Sequence, residues 1–429
     1  MPPMQSQLSL PNSIHSNYSK TLGIIMILLR LITMIAALLG YNWTASPQPV
    51  VPEAMIVVPD APWDGGDINR GSEPPIAELF PQAVPPPPVA AAPPPVQDEN
   101  YATVDLTFAT NRAEIPNAPL PERFGGELAD LVYGTATVSI PHDHEPGVLE
   151  SQNWFMSLIV APNPESHVLV QDLAVIDRDT VLSILNGQAA DGNRAILAYI
   201  HGYNTSFDKA ARRMGQMAYD LNWTGGTFFY SWPSQGQAKD YLVDDTTAER
   251  SVRVMKQVLT DLGTSADADR IILIAHSMGT RVLSRALQEL VAERNPAADR
   301  ITTVILAAPD IDKAVFIDDI APRLTAMTNA TVTLYASSED TALKASQAAR
   351  GFPRIGDSSD GLVLIDGIEI VDATGAESDF FGHTYFGDNA RIIDDMSGLI
   401  NDGLPAASRP MLSPVPFGDG TFWRIRNVE

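Results

Sequence analysis

The spacing of apolar positions divides the chain near Tyr101. Beyond it, "YATVDLTFATNR" (101–112) and "VYGTATVSIP" (132–141) alternate apolar and polar residues as half-buried strands do. "NRAILAYI" (193–200), "GTFFYSW" (226–232), "RIILIA" (270–275), "ITTVILAA" (301–308), "ATVTLYAS" (330–337) and "GLVLIDGIEIVD" (361–372) are apolar almost throughout, the mark of strands covered on both faces. Between them the period lengthens. "FDKAARRMGQMAYDL" (207–221) reads as an amphipathic helix. "TAERSVRVMKQVLTDLG" (247–263) places Val252, Met255, Val258, Leu259 and Leu262 on one face and is expected to stop at Gly263. A third helix from about 279 carries Val282, Leu283, Ala286, Leu287 and Leu290. Apolar strands alternating with helices predict an α/β architecture with a mostly parallel central sheet and helices on both faces, one domain over 101–405. Residues 406–429, ending "TFWRIRNVE", read as a C-terminal tail that docks through Phe422 and Trp423.

Upstream of Tyr101 neither period is found. Residues 22–40 are apolar apart from Arg30 and Thr33, about the length needed to span a bilayer, with Lys20 just before them. Arg30 near the centre is costly for a span, whereas a start at Met26 would turn it into the positive head of a signal peptide. Residues 1–44 are therefore expected to be a signal or membrane anchor. Residues 45–100 hold 15 of the 34 prolines, including "VPPPPVAAAPPPV", and read as an extended linker. Retention of Lys and Arg on the cytoplasmic side would put the rest of the chain outside. The expected location is the inner membrane with a periplasmic catalytic domain, or secretion if the segment is cleaved. The membrane contact is expected through this segment only.

Composition narrows the partners. Hydrophobic residues make up 45% of the chain and charged residues 19%, enough for a large buried core. A formal charge of −24 opposes nucleic-acid binding. There is no cysteine, which excludes disulfides and Cys-ligated zinc and removes any redox obstacle to export.

One short stretch carries candidate chemistry. In "IILIAHSMGTRVLSRAL" (271–287) Ser277 stands between a buried strand and a helix, with Ala275 and Gly279 two positions to either side. A nucleophilic serine presented on a sharp strand-to-helix turn needs small residues at those positions. The pattern alone is weak, but its partners follow in order. Only His383 of the seven histidines lies downstream, in "FFGHTYFGD" after the last expected strand, where a general base belongs. Two acids fit the order Ser, Asp, His: Asp340 in "LYASSEDTAL", favoured by its place one strand before the histidine, and Asp310 in "LAAPDID". An oxyanion hole needs two amide donors. The amide of Met278 is one candidate and that of Tyr203, in "AYIHGYNTS" (198–206), is the other. His201, Trp232 and Tyr241 are candidate substrate-pocket residues. Ser234, in "WPSQG", has Trp232 at the −2 position and is too crowded to be the nucleophile. His201 has no second ligand at metal spacing, and no metal or cofactor is called for.

The segments "FATNR", "YGTATVSIP", "HGYN", "YSWPSQG", "AHSMGTRVL", "APDID", "LYASSEDTALKAS" and "GHTYF" together resemble a bacterial family of α/β-hydrolase-fold proteins, known mainly as esterase/lipase-like or of unknown function. The resemblance covers about 101–400. It implies the α/β-hydrolase fold and catalytic roles for Ser277, His383 and an aspartate, but no substrate. The expected activity is hydrolysis of a small-molecule or lipid-like carboxylic ester, or a related acyl bond. The alternative is a non-catalytic binding or scaffolding module on the same fold.

Overall fold

The computed structural model describes residues 100–151, 161–189, 193–237, 240–376 and 389–426, all within one compact unit, Val89–Glu429. The apolar segment 22–40, residues 45–99 of the proline-rich stretch and His383 lie outside the described residues. Among the described residues no helix is long and apolar enough to cross a membrane.

Among the described residues eleven strands form one sheet: β1 (Tyr101–Glu114), β2 (Phe124–Pro141), β3 (Leu169–Ile176), β4 (Ala195–Ile200), β5 (Gly226–Ser231), β6 (Arg270–His276), β7 (Ile301–Ala307), β8 (Thr331–Ala336), β9 (Ile368–Asp372), β10 (Leu412–Phe417) and β11 (Gly420–Ile425). Their spatial order is β10-β11-β9-β8-β7-β6-β4-β5-β1-β2-β3. The central ladders, from β1–β5 through β8–β9, are parallel, and antiparallel pairs occur only toward the two edges. This is the α/β-hydrolase architecture.

The helices are α1 (Arg178–Gln188), α2 (Phe207–Asp220), α3 (Tyr241–Ser265), α4 (Met278–Ala292), a short helical run α5 over 313–325 with a π-wound middle, α6 (Thr341–Arg350) and α7 (Ala390–Ile400). Side chains of β4 alternate strictly between two cores: Ile196, Ala198 and Ile200 pack with α1, α3 and α4, while Ala195, Leu197 and Tyr199 pack with α2 and α7. All six are buried, which is why the strand reads as an unbroken apolar run.

Three local differences from the sequence reading have clear causes. Helix α3 starts at Tyr241, before the expected 247, and continues past Gly263. Gly263 does not stop it, because its missing side chain serves close packing: a Cβ there would lie 2.5 Å from that of Ala297. The segment 361–372 forms a strand only from Ile368, after a turn in which Gly367 adopts φ 82°. The C-terminal segment adds a hairpin, with β11 pairing parallel to β9 through Trp423–Val371 and Arg424–Asp372. Phe422 of that hairpin is buried against the core.

Chain direction reverses at the centre. From β4 the chain passes through α2 to β5, whereas from β6 it passes through α4 to β7 on the other side. The carboxyl ends of β4 and β6 therefore flank a topological switch point, where open α/β sheets bind their ligands.

Candidate active site

Ser277 sits on the turn between β6 and α4 with φ 52° and ψ −125°. A non-glycine residue in this region costs about 1–3 kcal/mol and persists only where its surroundings enforce it. Here they do. The Ser277 amide donates to the Ala307 carbonyl at 2.9 Å. The Ser277 carbonyl accepts from the Thr280 amide at 3.1 Å, the Asp310 amide at 3.3 Å and the Thr280 hydroxyl at 2.6 Å.

The small neighbours are required by the same geometry. A Cβ on Gly279 would come within 2.2 Å of the His201 carbonyl oxygen, so α4 approaches the end of β4 too closely for any side chain. One on Gly202 would lie 2.8 Å from the Ser277 Cβ. Ala275 is fully buried within the strand.

A cavity of about 360 Å³ opens beside the serine. Ser277, Tyr203, Tyr241 and Asp310 all line it, with Leu242 from α3 and Ala342, Leu343, Ala345, Ser346 and Ala349 from α6. The structure thus brings together the candidate nucleophile, one oxyanion-loop residue, one pocket residue and one of the two acids. Met278 opens α4, so its amide has no carbonyl one turn back within the helix.

The two acids occupy different environments. The Asp310 carboxylate is committed: Oδ2 accepts from the Tyr241 hydroxyl at 2.7 Å and Oδ1 from the Ser346 hydroxyl at 2.5 Å. The Arg354 guanidinium lies 3.4 Å from the same Oδ1. Asp340 is fully buried at the N-cap of α6, where Oδ1 accepts from the Leu343 amide at 2.8 Å.

Two expected pocket residues are placed elsewhere. Trp232 and His201 are completely buried and are absent from the described lining of that cavity. Their rings stack at 5.1 Å, and the Trp232 indole donates to the His201 carbonyl at 2.8 Å, so both belong to the packing beneath the "HGYN" loop. Burial and the neighbouring Arg112 push the His201 imidazole down to about 3, leaving it neutral. Its Nδ1–H donates to the Gly202 carbonyl at 2.7 Å. Nε2 then accepts from Arg112 Nη2 at 3.3 Å, with the Ser231 hydroxyl at 3.2 Å and the Trp232 carbonyl at 3.1 Å beside it. Ser234 is also buried, its hydroxyl donating to Asp244 at 2.5 Å.

Arg112 is the residue that sequence reasoning missed. It is fully buried, and its guanidinium donates to the Ser231 hydroxyl at 2.8 Å and to the carbonyls of Gly125 (3.0 Å), Ser234 (2.8 Å) and Thr205 (2.7 Å). Opposite it, Asp244 accepts from the amides of Gln235 (2.7 Å) and Asn204 (3.2 Å). The pair clamps the "HGYN" loop to the "WPSQG" loop. Burial pulls the Arg112 guanidinium down to about 9, an effect that Asp244 opposes.

Residues 182–401, just over half the chain, match the family described as "Alpha/beta hydrolase of unknown function (DUF900)". The chain belongs to that family. Among solved structures, this α/β hydrolase is similar to a predicted CIB-like hydrolase from Thermoplasma acidophilum, at 13% identity and a TM-score of 0.32, over 50% of this chain and 89% of that one. It is also similar to a doubly substituted form of the esterase rPPE, at 8% identity and a TM-score of 0.29, over 70% and 82% of the two chains. No curated protein matches the chain.

Proposed function

We propose that this α/β hydrolase cleaves a carboxylic ester, or a related acyl bond, through an acyl-enzyme on Ser277. The observation that carries this reading is the strained backbone of Ser277, held by hydrogen bonds at the switch point and bordering a cavity. Such strain in a residue with a nucleophilic side chain fits a reactive turn better than a structural one.

In this reading Ser277 Oγ attacks the acyl carbonyl while His383 removes its proton. The oxyanion that forms is met by the amides of Met278 and Tyr203. Collapse of the tetrahedral intermediate expels the alcohol, which takes the proton from His383. Water, deprotonated by His383, then attacks the acyl-enzyme and releases the acid and free Ser277. Asp340 orients the imidazole, since Asp310 already spends both oxygens on Tyr241, Ser346 and Arg354.

The test is covalent labelling of the full chain with a fluorophosphonate, together with turnover of p-nitrophenyl esters. Labelling at Ser277, and loss of both labelling and turnover in Ser277→Ala with an unchanged unfolding temperature, is the expected result. Labelling at another serine, or turnover by Ser277→Ala equal to that of the native chain, would overturn the proposal.

A further inference from the structure

The cavity beside Ser277 has walls of two kinds, and both bear on the substrate. Helix α6 presents Ala342, Ala345 and Ala349 to it, one helical face made of methyl groups. Leu242, on the first turn of α3, also lines it and is 71% exposed, beside Val243 at 50%. An exposed leucine at the mouth of a cavity is an unpaid apolar surface that an apolar ligand would cover.

The polar wall is internally satisfied. Tyr241 and Ser346 both donate to Asp310, their own oxygens 2.7 Å apart. Two neighbouring guanidiniums are committed as well, Arg350 to the Tyr241 hydroxyl at 2.9 Å and to Asp245, and Arg281 to Asp245 at 2.5 Å, while Arg354 is paired with Asp310 by charge at 3.4 Å without a hydrogen bond from its Nε. A charged substituent entering here would have to displace one of these pairs.

Resting on the acyl-enzyme reading, we propose that this groove is the binding site for an uncharged, unbranched apolar chain of the substrate ester, of medium length. Its size sets the length. A cavity of roughly 150 Å³ holds a benzene molecule. The 360 Å³ available here therefore suits a chain on the order of ten carbon atoms rather than an acetyl group. Ala345 and Ala349 are the specificity-determining positions, because both are solvent-exposed on the wall and a larger side chain there narrows the groove without entering the core.

The experiment measures kcat/KM of the full chain for p-nitrophenyl acetate, octanoate and palmitate. Octanoate is expected to exceed both of the others. The octanoate-to-acetate ratio should fall by about tenfold or more in Ala345→Leu, since a pocket is sensitive to a few methylenes. Ala348→Leu, on the same helix but absent from the described lining, should keep the native ratio. A ratio unchanged in Ala345→Leu, or reduced equally in Ala348→Leu, overturns the groove as the chain site even if Ser277 remains essential. Absence of any Ser277-dependent ester turnover overturns the underlying reading, and the groove proposal with it.

Discussion

A Cβ placed on Gly279 would stand 2.2 Å from the carbonyl oxygen of His201 and 2.8 Å from that of Ile200. Both obstacles are backbone at the end of β4, so neither can rotate away. The small residue two positions after the serine is thus fixed by contact between α4 and the loop carrying Tyr203, and Gly279 holds the two oxyanion candidates at a set separation. Gly279→Ala is expected to cost about 1–3 kcal/mol of stability, as overpacking does. It should lower kcat for ester hydrolysis more than it raises KM, because it displaces donors rather than the groove. Thermal unfolding and steady-state kinetics on one preparation check this. An Ala variant with native kcat would show that the two elements are free to separate.

Arg112 tests the same loop from the other side. Its donors reach β5, the "WPSQG" loop and Thr205 of the "HGYN" loop, a geometry that a lysine with a single ammonium cannot reproduce. Arg112→Lys keeps the charge but leaves buried carbonyls unpaired, each worth about 1–3 kcal/mol. The expected result is a lower unfolding temperature together with a kcat reduced out of proportion to labelling of Ser277 by fluorophosphonate. Equal turnover in the Lys variant would mean that the clamp does not position the loop.

How much of this was legible depended on whether the determining contacts were local. The buried strands announced themselves because β4, β5 and β6 are apolar on both faces. The hairpin of β10 and β11 did not, because "LSPVPF" lies at the sheet edge, half exposed, with prolines at 414 and 416 that only an edge tolerates. Around Ser277 the turn residues are consecutive in sequence, so the pattern could be read directly. Arg112 meets Ser231, Ser234 and Thr205 across about a hundred residues of chain, and a single arginine at a strand end looks like a solvent-facing one. Trp232 misled for the opposite reason: an aromatic residue at the end of an expected strand was a pocket candidate, but its indole found a carbonyl inside the core.

The two carboxylates separate cleanly by substitution. Asparagine remains a good helix N-cap, so Asp340→Asn should preserve α6 and the fold. If Asp340 orients the base, kcat should nonetheless fall by several orders of magnitude, through the wrong imidazole tautomer. Asp310→Asn breaks the pairing with Arg354 and removes one of the two acceptor oxygens used by Tyr241 and Ser346, so its main effect should be on stability and on KM for medium-chain esters. Circular dichroism and kcat for both variants decide the assignment. A kcat collapse in Asp310→Asn with Asp340→Asn near native would reverse it.

The last prediction concerns pH and lies far from the serine. The imidazole of His144 is held between two carboxylates, Nδ1 at 2.9 Å from Glu150 and Nε2 at 2.6 Å from Asp220. Burial lowers its pKa, but the hydrogen bonds to Asp220 and Glu150 outweigh this and raise it from 6.5 to about 9. Because the folded value is the higher one, folding takes up a proton between the two values. The resulting stabilisation is complete below about pH 6.5 and is lost as pH rises through about 9. Asp220 ends α2, whose first turn follows the "HGYN" loop, so about 20 Å of helix separates this lock from the active-site end. His144→Gln should therefore lower the unfolding temperature most near pH 6, less as pH rises, and converge with the native chain above pH 9, with kcat at neutral pH little changed. An unfolding-temperature difference that stays constant across this range would mean that the imidazole is not charged in the folded protein, and that the contact is an ordinary neutral hydrogen bond.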